Sequence, residues 1–373
     1  MKIGILTYHR ACNYGAYMQA YCLCSRLNEE ADIQAELIDF HMEKEDDQYD
    51  YRKRGLLKRL LKKKVYDFKF ALMDTFVKAQ DMLSDKSDAY LKSNSVVEFS
   101  EFVKNKYDVI IVGSDEVWKL DGFRGFPTPY WLEGDLGCKK FSYAASSRSS
   151  LEVLSGEQRE KLHALLQDFD YISVRDDMTY DMVTEVLGSK DMVSVNCDPS
   201  FLWDVPVKTG FLKERLHRET AWDAEKKNIL VMMDSNQTAG MIRQQLANRY
   251  NLISVCSYHE GYMNLPDVTP LEWLSLIAEC DLVITSYFHG VCFSIMKNTP
   301  FLATAEAKKR SKLDGLLKDT SLAHRYFDDE ALTGGRIEKL VEAAMKKENY
   351  AAYVEEKRKG FPEYLNKLRE VCK

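Results

Sequence analysis

Ile3-Gly4-Ile5-Leu6-Thr7 runs through Tyr8-His9-Arg10-Ala11-Cys12-Asn13-Tyr14-Gly15-Ala16 into a helical pattern that spans Gly15 to Leu27. A short apolar strand that turns through small and polar residues into an amphipathic helix is the unit from which a doubly wound parallel sheet is built. The unit recurs along the chain. Further strands are expected at Ala35 to Asp39, Val109 to Val112, Phe141 to Ala144, Tyr171 to Val174 and Val193 to Asn196, with helices at Gly156 to Gln167 and Met178 to Leu187. After Pro206 a polar, charged stretch interrupts the pattern, and it restarts with strands at Ile229 to Met233, Leu252 to Cys256, Leu282 to Thr285 and Phe301 to Ala303. Helices fall between them at Thr238 to Tyr250, Leu271 to Ala278 and His289 to Lys297. Alternation of this kind specifies an α/β chain with parallel sheets covered on both faces.

The expected organisation is a first domain over 1–205 with a helical, strand-poor insert at about 42–100, and a boundary near 206–227. A second domain over 228–334 and C-terminal helices over 335–373 that pack back on the first domain complete it. Two doubly wound domains facing a cleft would present the carboxyl ends of their strands to a ligand, so residues just beyond strand ends matter most.

With 373 residues and 45% hydrophobic content, the chain can bury two cores. Its 52 basic and 58 acidic residues leave a net charge of -6, which gives no global attraction to nucleic acid or anionic membranes. The nine cysteines are scattered in mostly apolar runs and read as free thiols of a reducing cytosol, and no spacing suits a metal ion. The first six residues form too short an apolar run for a signal peptide, and no segment approaches the ~18 apolar residues of a membrane span, so a cytoplasmic protein is expected. One dense basic block runs from Arg52 to Lys64 with paired leucines. It suits either peripheral contact with the inner membrane face or a solvated helix whose leucines enter the core.

Five strand ends carry candidate chemistry. Beyond the first strand, His9, Arg10, Asn13 and Gly15 would form a lip of the cleft, or merely shape the turn. Gly113-Ser114-Asp115-Glu116-Val117-Trp118 places Asp115 where it could take a proton from a hydroxyl, or cap a helix. Ser142-Tyr143-Ala144-Ala145-Ser146-Ser147-Arg148 and Ile172-Ser173-Val174-Arg175 each end in a cation. Arg175 could clamp a carboxylate or phosphate with two donors, or bridge Asp176 or Asp177. Asp281 to Gly290 runs from an apolar strand through Ser286 and Tyr287 to His289 at a helix start facing the cleft. No GxGxxG accompanies any of them, which argues against a dinucleotide.

Asn13-Tyr14-Gly15-Ala16, Gly113 to Trp118, Ser142 to Ser146, Ser173-Val174-Arg175, Asp198-Pro199 and Ser286-Tyr287-Phe288-His289-Gly290 occur in an order that resembles the polysaccharide pyruvyl transferase family. The likeness extends to Ser311 through Leu317. It implies two Rossmann-like domains similar to the B-type glycosyltransferase fold, phosphoenolpyruvate as donor, and a sugar or lipid-linked oligosaccharide as acceptor. It implies neither a cofactor nor a metal. His289 would then be the acid and Asp115 the base. Arg175 would clamp the donor with help from Arg148 or Lys308-Lys309-Arg310, alongside Ser286, Tyr287 and Gly290. His289 could instead hydrogen-bond the phosphate. Two departures stand out: many members have an arginine where this chain has Tyr287, and a small residue where it has Arg148. A nucleotide-sugar glycosyltransferase or epimerase of the same architecture, and a non-catalytic member of a polysaccharide pathway, are the alternative readings.

Overall fold

The computed structural model describes residues 1–53, 56–83, 85–305, 310–318, 320–328 and 336–373. The chain forms two compact units: Met1–Lys53 with Met82–Trp203 and Glu355–Lys373, and Arg54–Asp81 with Asp204–Val354.

In the first unit, strands β1 (Lys2–Leu6), β2 (Gln34–Leu37), β5 (Val109–Val112) and β6 (Lys139–Ser142) form a parallel sheet in the order β2-β1-β5-β6. Strands β3 (Phe40–His41) and β4 (Leu91–Lys92) form a separate parallel pair, and β7 (Ile172–Val174) pairs with β8 (Val193–Val195). Bridges from Phe141 to Tyr171 and from Ala145 to Val174 join β7 to the edge at β6. Val109, Ile110, Ile111 and Val112 are all fully buried, as an apolar run covered on both faces requires. Local signals set the helix ends. Ser155 and Gln158 form a reciprocal capping box before Gly156–Gln167, and Asp176 caps Asp177–Leu187. Trp118 and Trp131 stack at 5.0 Å in the core, with the Trp118 indole donating to the carbonyl of Tyr130.

In the second unit, β9 (Lys227–Met232), β10 (Tyr250–Ser254), β11 (Met263–Asn264), β12 (Leu282–Thr285), β13 (Phe301–Ala305) and β14 (Tyr326–Asp328) form one parallel sheet in the order β11-β10-β9-β12-β13-β14. Thr269 and Glu272 box the start of Pro270–Glu279, with Pro270 in the first turn, where its missing N–H costs nothing.

Three expectations change. The 42–100 segment contains β4, and its long helix Lys63–Asp81 belongs to the second unit, where Phe68 meets Tyr258 at 6.1 Å and Lys64 pairs with Glu260 at 3.2 Å. Of the C-terminal helices, Ile337–Ala344 lies in the second unit, burying Ile337 and Val341 in its core. Only Glu355–Lys373 joins the first unit, where Tyr364 packs edge-on against Tyr143 at 4.9 Å and Arg369 pairs with Glu30 and Asp32.

Both sheets share one topological feature. The first strand of each unit has its successor on one side and a later strand on the other: β1 lies between β2 and β5, and β9 between β10 and β12. The chain reverses direction across the sheet at these points, the places where open sheets of this kind usually bind their ligands.

Candidate functional site

In the first unit the reversal lies between β1 and β5, and buried polar groups lock the loops that follow them together. The Thr7 hydroxyl donates to the carbonyl of Ser114 at 3.0 Å and accepts from the Gln19 amide at 2.8 Å, while Gln19 accepts from the Ser114 N–H at 3.2 Å. Gly113 has φ +119°, and a Cβ there would lie 2.4 Å from the Tyr143 carbonyl, so only glycine fits. Asp115 follows with φ 76°, its Oδ1 accepting from the Glu116 N–H at 2.8 Å. No helix starts at Asp115, so its carboxylate is not the helix cap that the sequence allowed.

Arg175 stands at the carboxyl end of β7 and donates through Nη1 to Asp198 at 2.8 Å, while Nη2 is 3.7 Å from Asp115. Burial works against the guanidinium charge, but Asp198 and then Asp115 outweigh it and raise the pKa above the ordinary arginine value. Asp198 is itself buried and is fixed by the N–H and hydroxyl of Ser200, at 3.0 and 2.7 Å. Arg175 thus hydrogen-bonds Asp198, with Asp176 a lesser electrostatic contributor. Asp176 caps its helix and accepts from Ser146 at 2.6 Å. Arg148, with φ 51°, reaches to 3.8 Å from Glu116.

The expected lip is engaged within the fold. Arg10 grips Asp39 with two donors at 2.6 and 2.5 Å, and the fully buried His9 lies 3.4 Å from the same carboxylate. Burial opposes ionisation of Asp39, but hydrogen bonds from His9 and Arg10 hold its carboxyl well below the usual range. Asn13 caps the helix Tyr14–Leu27, its side chain accepting from the N–H groups of Gly15 and Ala16. These four residues shape the turn.

In the second unit the reversal lies between β9 and β12. Tyr287 donates to Asp234 at 2.7 Å and meets the Ser257 hydroxyl at 2.8 Å, so the ends of β9, β10 and β12 share one hydrogen-bonded cluster. Burial first and Asp234 second push the Tyr287 phenol well above its ordinary pKa, keeping it a neutral donor. His289 is the second residue of the helix Phe288–Met296, whose start favours negative charge. Ser286 is tied by its N–H to the Met232 carbonyl at 2.9 Å. Gly290 serves packing: a Cβ would lie 2.6 Å from the Thr285 hydroxyl, so the helix rests directly on the strand. The side chains of Lys308, Lys309 and Arg310 lie outside the described residues.

The structure thus brings Asp115 and Arg175 together in the first unit, and groups Ser286, Tyr287, His289 and Gly290 in the second. Asp198, Asp234 and Ser257 were missed as participants. Asp198 belongs to the Asp198-Pro199 motif, and Asp234 follows an apolar strand just as Asp115 does, which is the signal that marks it in the sequence. Among the described residues no cluster of His, Cys, Asp and Glu could hold a metal ion. A cavity of about 1240 Å³ in the first unit opens at the opposite, amino ends of its strands, lined by Met1, Asp108, Lys139 and Asp170, and holds none of the candidates.

Comparison with known proteins places this geometry. In fold the chain is similar to UDP-GlcNAc 2-epimerase from Neisseria meningitidis bound to UDP-GlcNAc, at 9% identity and a TM-score of 0.54, covering 99% of this chain and 100% of that one. It is also similar to UDP-GlcNAc 2-epimerase from Methanocaldococcus jannaschii, at 12% identity and a TM-score of 0.52, covering 94% of each. At such identities the likeness defines the fold, that of two Rossmann-like units of the B-type glycosyltransferase kind. No curated protein matches the chain. A sequence model described as polysaccharide pyruvyl transferase matches residues 13–306, a span that contains Asp115, Arg175, Asp198 and His289, and the chain belongs to that family.

Proposed function

We propose that the protein transfers the pyruvyl group of phosphoenolpyruvate to two hydroxyls of a sugar, in a cell-surface polysaccharide or its lipid-linked precursor, forming a cyclic ketal. The observation that carries this reading is the seat of Arg175: a guanidinium pinned charged by buried Asp198, with its other donor arm 3.7 Å from the carboxylate of Asp115. A planar two-donor cation held between carboxylates at a strand end is suited to pair with the carboxylate or phosphate of phosphoenolpyruvate.

The chemistry balances as follows. A proton adds to the methylene carbon of phosphoenolpyruvate, and positive charge develops on the carbon that bears the phosphate. One sugar hydroxyl adds there and loses its proton, inorganic phosphate leaves, and a second hydroxyl closes the ring with loss of its own proton. We assign the carboxylate clamp to Arg175, the receiving base to Asp115 and the proton to His289. Arg148 is assigned to the donor phosphate. Tyr287 and Ser286 are assigned to the donor as well, the phenol exchanging its hydrogen bond to Asp234 for one to the donor. The test is release of inorganic phosphate from phosphoenolpyruvate that depends on added glycan. A thermal shift with UDP-GlcNAc and none with phosphoenolpyruvate would replace this reading with the nucleotide-sugar one.

A further inference from the structure

The helix Leu56–Leu61 and the long helix Lys63–Asp81 are joined by a turn at Lys62, which makes a corner of the chain. Leu60 and Leu61 sit at this corner, 66% and 77% exposed, so neither enters the core. Around them stand Arg59, Lys62, Lys63 and Lys64, and no acidic residue occurs between Arg52 and Lys64. Arg59 lies over the Phe70 ring at 4.7 Å, which folds the short helix against the long one and leaves the leucines at the tip. Lys63 pairs with Asp67 and Lys64 with Glu260, so the corner keeps a positive excess after its own ion pairs are counted.

We infer that this corner docks on an anionic lipid bilayer, with Leu60 and Leu61 entering the headgroup boundary and the surrounding lysines meeting lipid phosphates. Charge complementarity selects this occupant. A chain of net charge -6 is repelled by anionic surfaces as a whole, and a local cation cluster around two adjacent exposed leucines combines the two terms that peripheral binding needs. A second copy of the chain would bring like charges against one another.

The corner is also connected to the candidate cluster of its own unit. Lys64 pairs with Glu260, Glu260 accepts from Tyr258, and Phe68 packs on Tyr258. The neighbouring Ser257 hydroxyl meets Tyr287. A bilayer under the corner therefore lies beside the loop that positions Tyr287, which fits an acceptor anchored in the membrane by a lipid. This last step rests on the transferase reading, whereas the docking does not.

The experiment is co-sedimentation of the full chain with vesicles of phosphatidylcholine alone and of phosphatidylcholine mixed with phosphatidylglycerol. Binding is expected to the mixed vesicles only, and it should weaken with added salt. Lys62→Ser with Lys63→Ser should lower affinity by roughly fivefold for each charge removed. Leu60→Ser with Leu61→Ser should abolish binding at an unchanged melting temperature, because both side chains are already in solvent. Equal binding by the leucine variant, or none by the unaltered protein, overturns the docking. So does a dimer in solution that the leucine variant disperses, since a second copy would then cover the corner. If docking holds, transfer to a lipid-linked glycan in vesicles should fall in the leucine variant while transfer to the free glycan persists. Equal loss on both overturns the acceptor step, and absence of transfer on either by the unaltered protein overturns the transferase reading alone.

Discussion

At the residue scale, the arginine that the sequence singled out does two things. Arg175 neutralises a buried carboxylate in addition to the donor-binding role we propose for it, so Arg175→Ala leaves Asp198 uncompensated and should cost about 3–5 kcal/mol of stability. Loss of activity in that variant alone would therefore be ambiguous. Asp198→Asn in the same chain removes the orphaned charge and should restore most of the melting temperature, while phosphoenolpyruvate affinity stays lost. Recovery of affinity in the double variant would confine Arg175 to a structural role. Its partner was not legible in the sequence, because Asp176 and Asp177 are adjacent while Asp198 reaches it only through the pairing of β7 with β8. His9 and Arg10 show a related limit: cations at a strand end look alike whether they face a ligand or a carboxylate just beyond the neighbouring strand, and here Asp39 supplies such a carboxylate.

At the element scale, legibility followed burial and capping. Val109–Val112 and Leu282–Thr285 appear with the expected limits because an unbroken apolar run admits only a strand covered on both faces. Gly156–Gln167 does so because Ser155 and Gln158 mark its start. The short β11 and β14 carry no periodicity to read, and the docking of Lys63–Asp81 in the second unit depends on Phe68 and Tyr258, far apart in sequence. The C-terminal helix Phe361–Val371 closes the first unit through a buried aromatic cluster. Tyr364→Ala should cost about 3–5 kcal/mol, read as a lowered denaturant midpoint, and an unchanged midpoint would show that helix to be dispensable. The short β3–β4 pair gives a pH dependence. Burial, opposed by Asp46, lowers the His41 pKa from 6.5 to about 4. The unfolded chain therefore binds this proton first, and stability is lost as pH falls from 6.5 towards about 4, by roughly 2–3 kcal/mol. Against His41→Gln, which has no such proton, the unaltered protein should lose melting temperature more steeply over that window. Parallel profiles would contradict this.

At the scale of the whole molecule, two parallel sheets each place their distinctive loops at the point where strand order reverses, and the family match spans both units. The strand ends were legible because the sequence marks them with apolar runs that stop at polar residues. The division of the chain was less so, since two segments cross from the unit that their neighbours in sequence build. No helix among the described residues is long and apolar enough to cross a membrane. The central claim is the transfer itself, and its signature is the new carbon–hydrogen bond. In heavy water, with phosphoenolpyruvate and a glycan acceptor, mass spectrometry of the product should show a pyruvyl ketal whose methyl group carries one deuterium, with one phosphate released per ketal, and His289→Asn should form none. A glycan that gains no carbon from phosphoenolpyruvate, under conditions in which the protein turns over UDP-GlcNAc, would contradict the account.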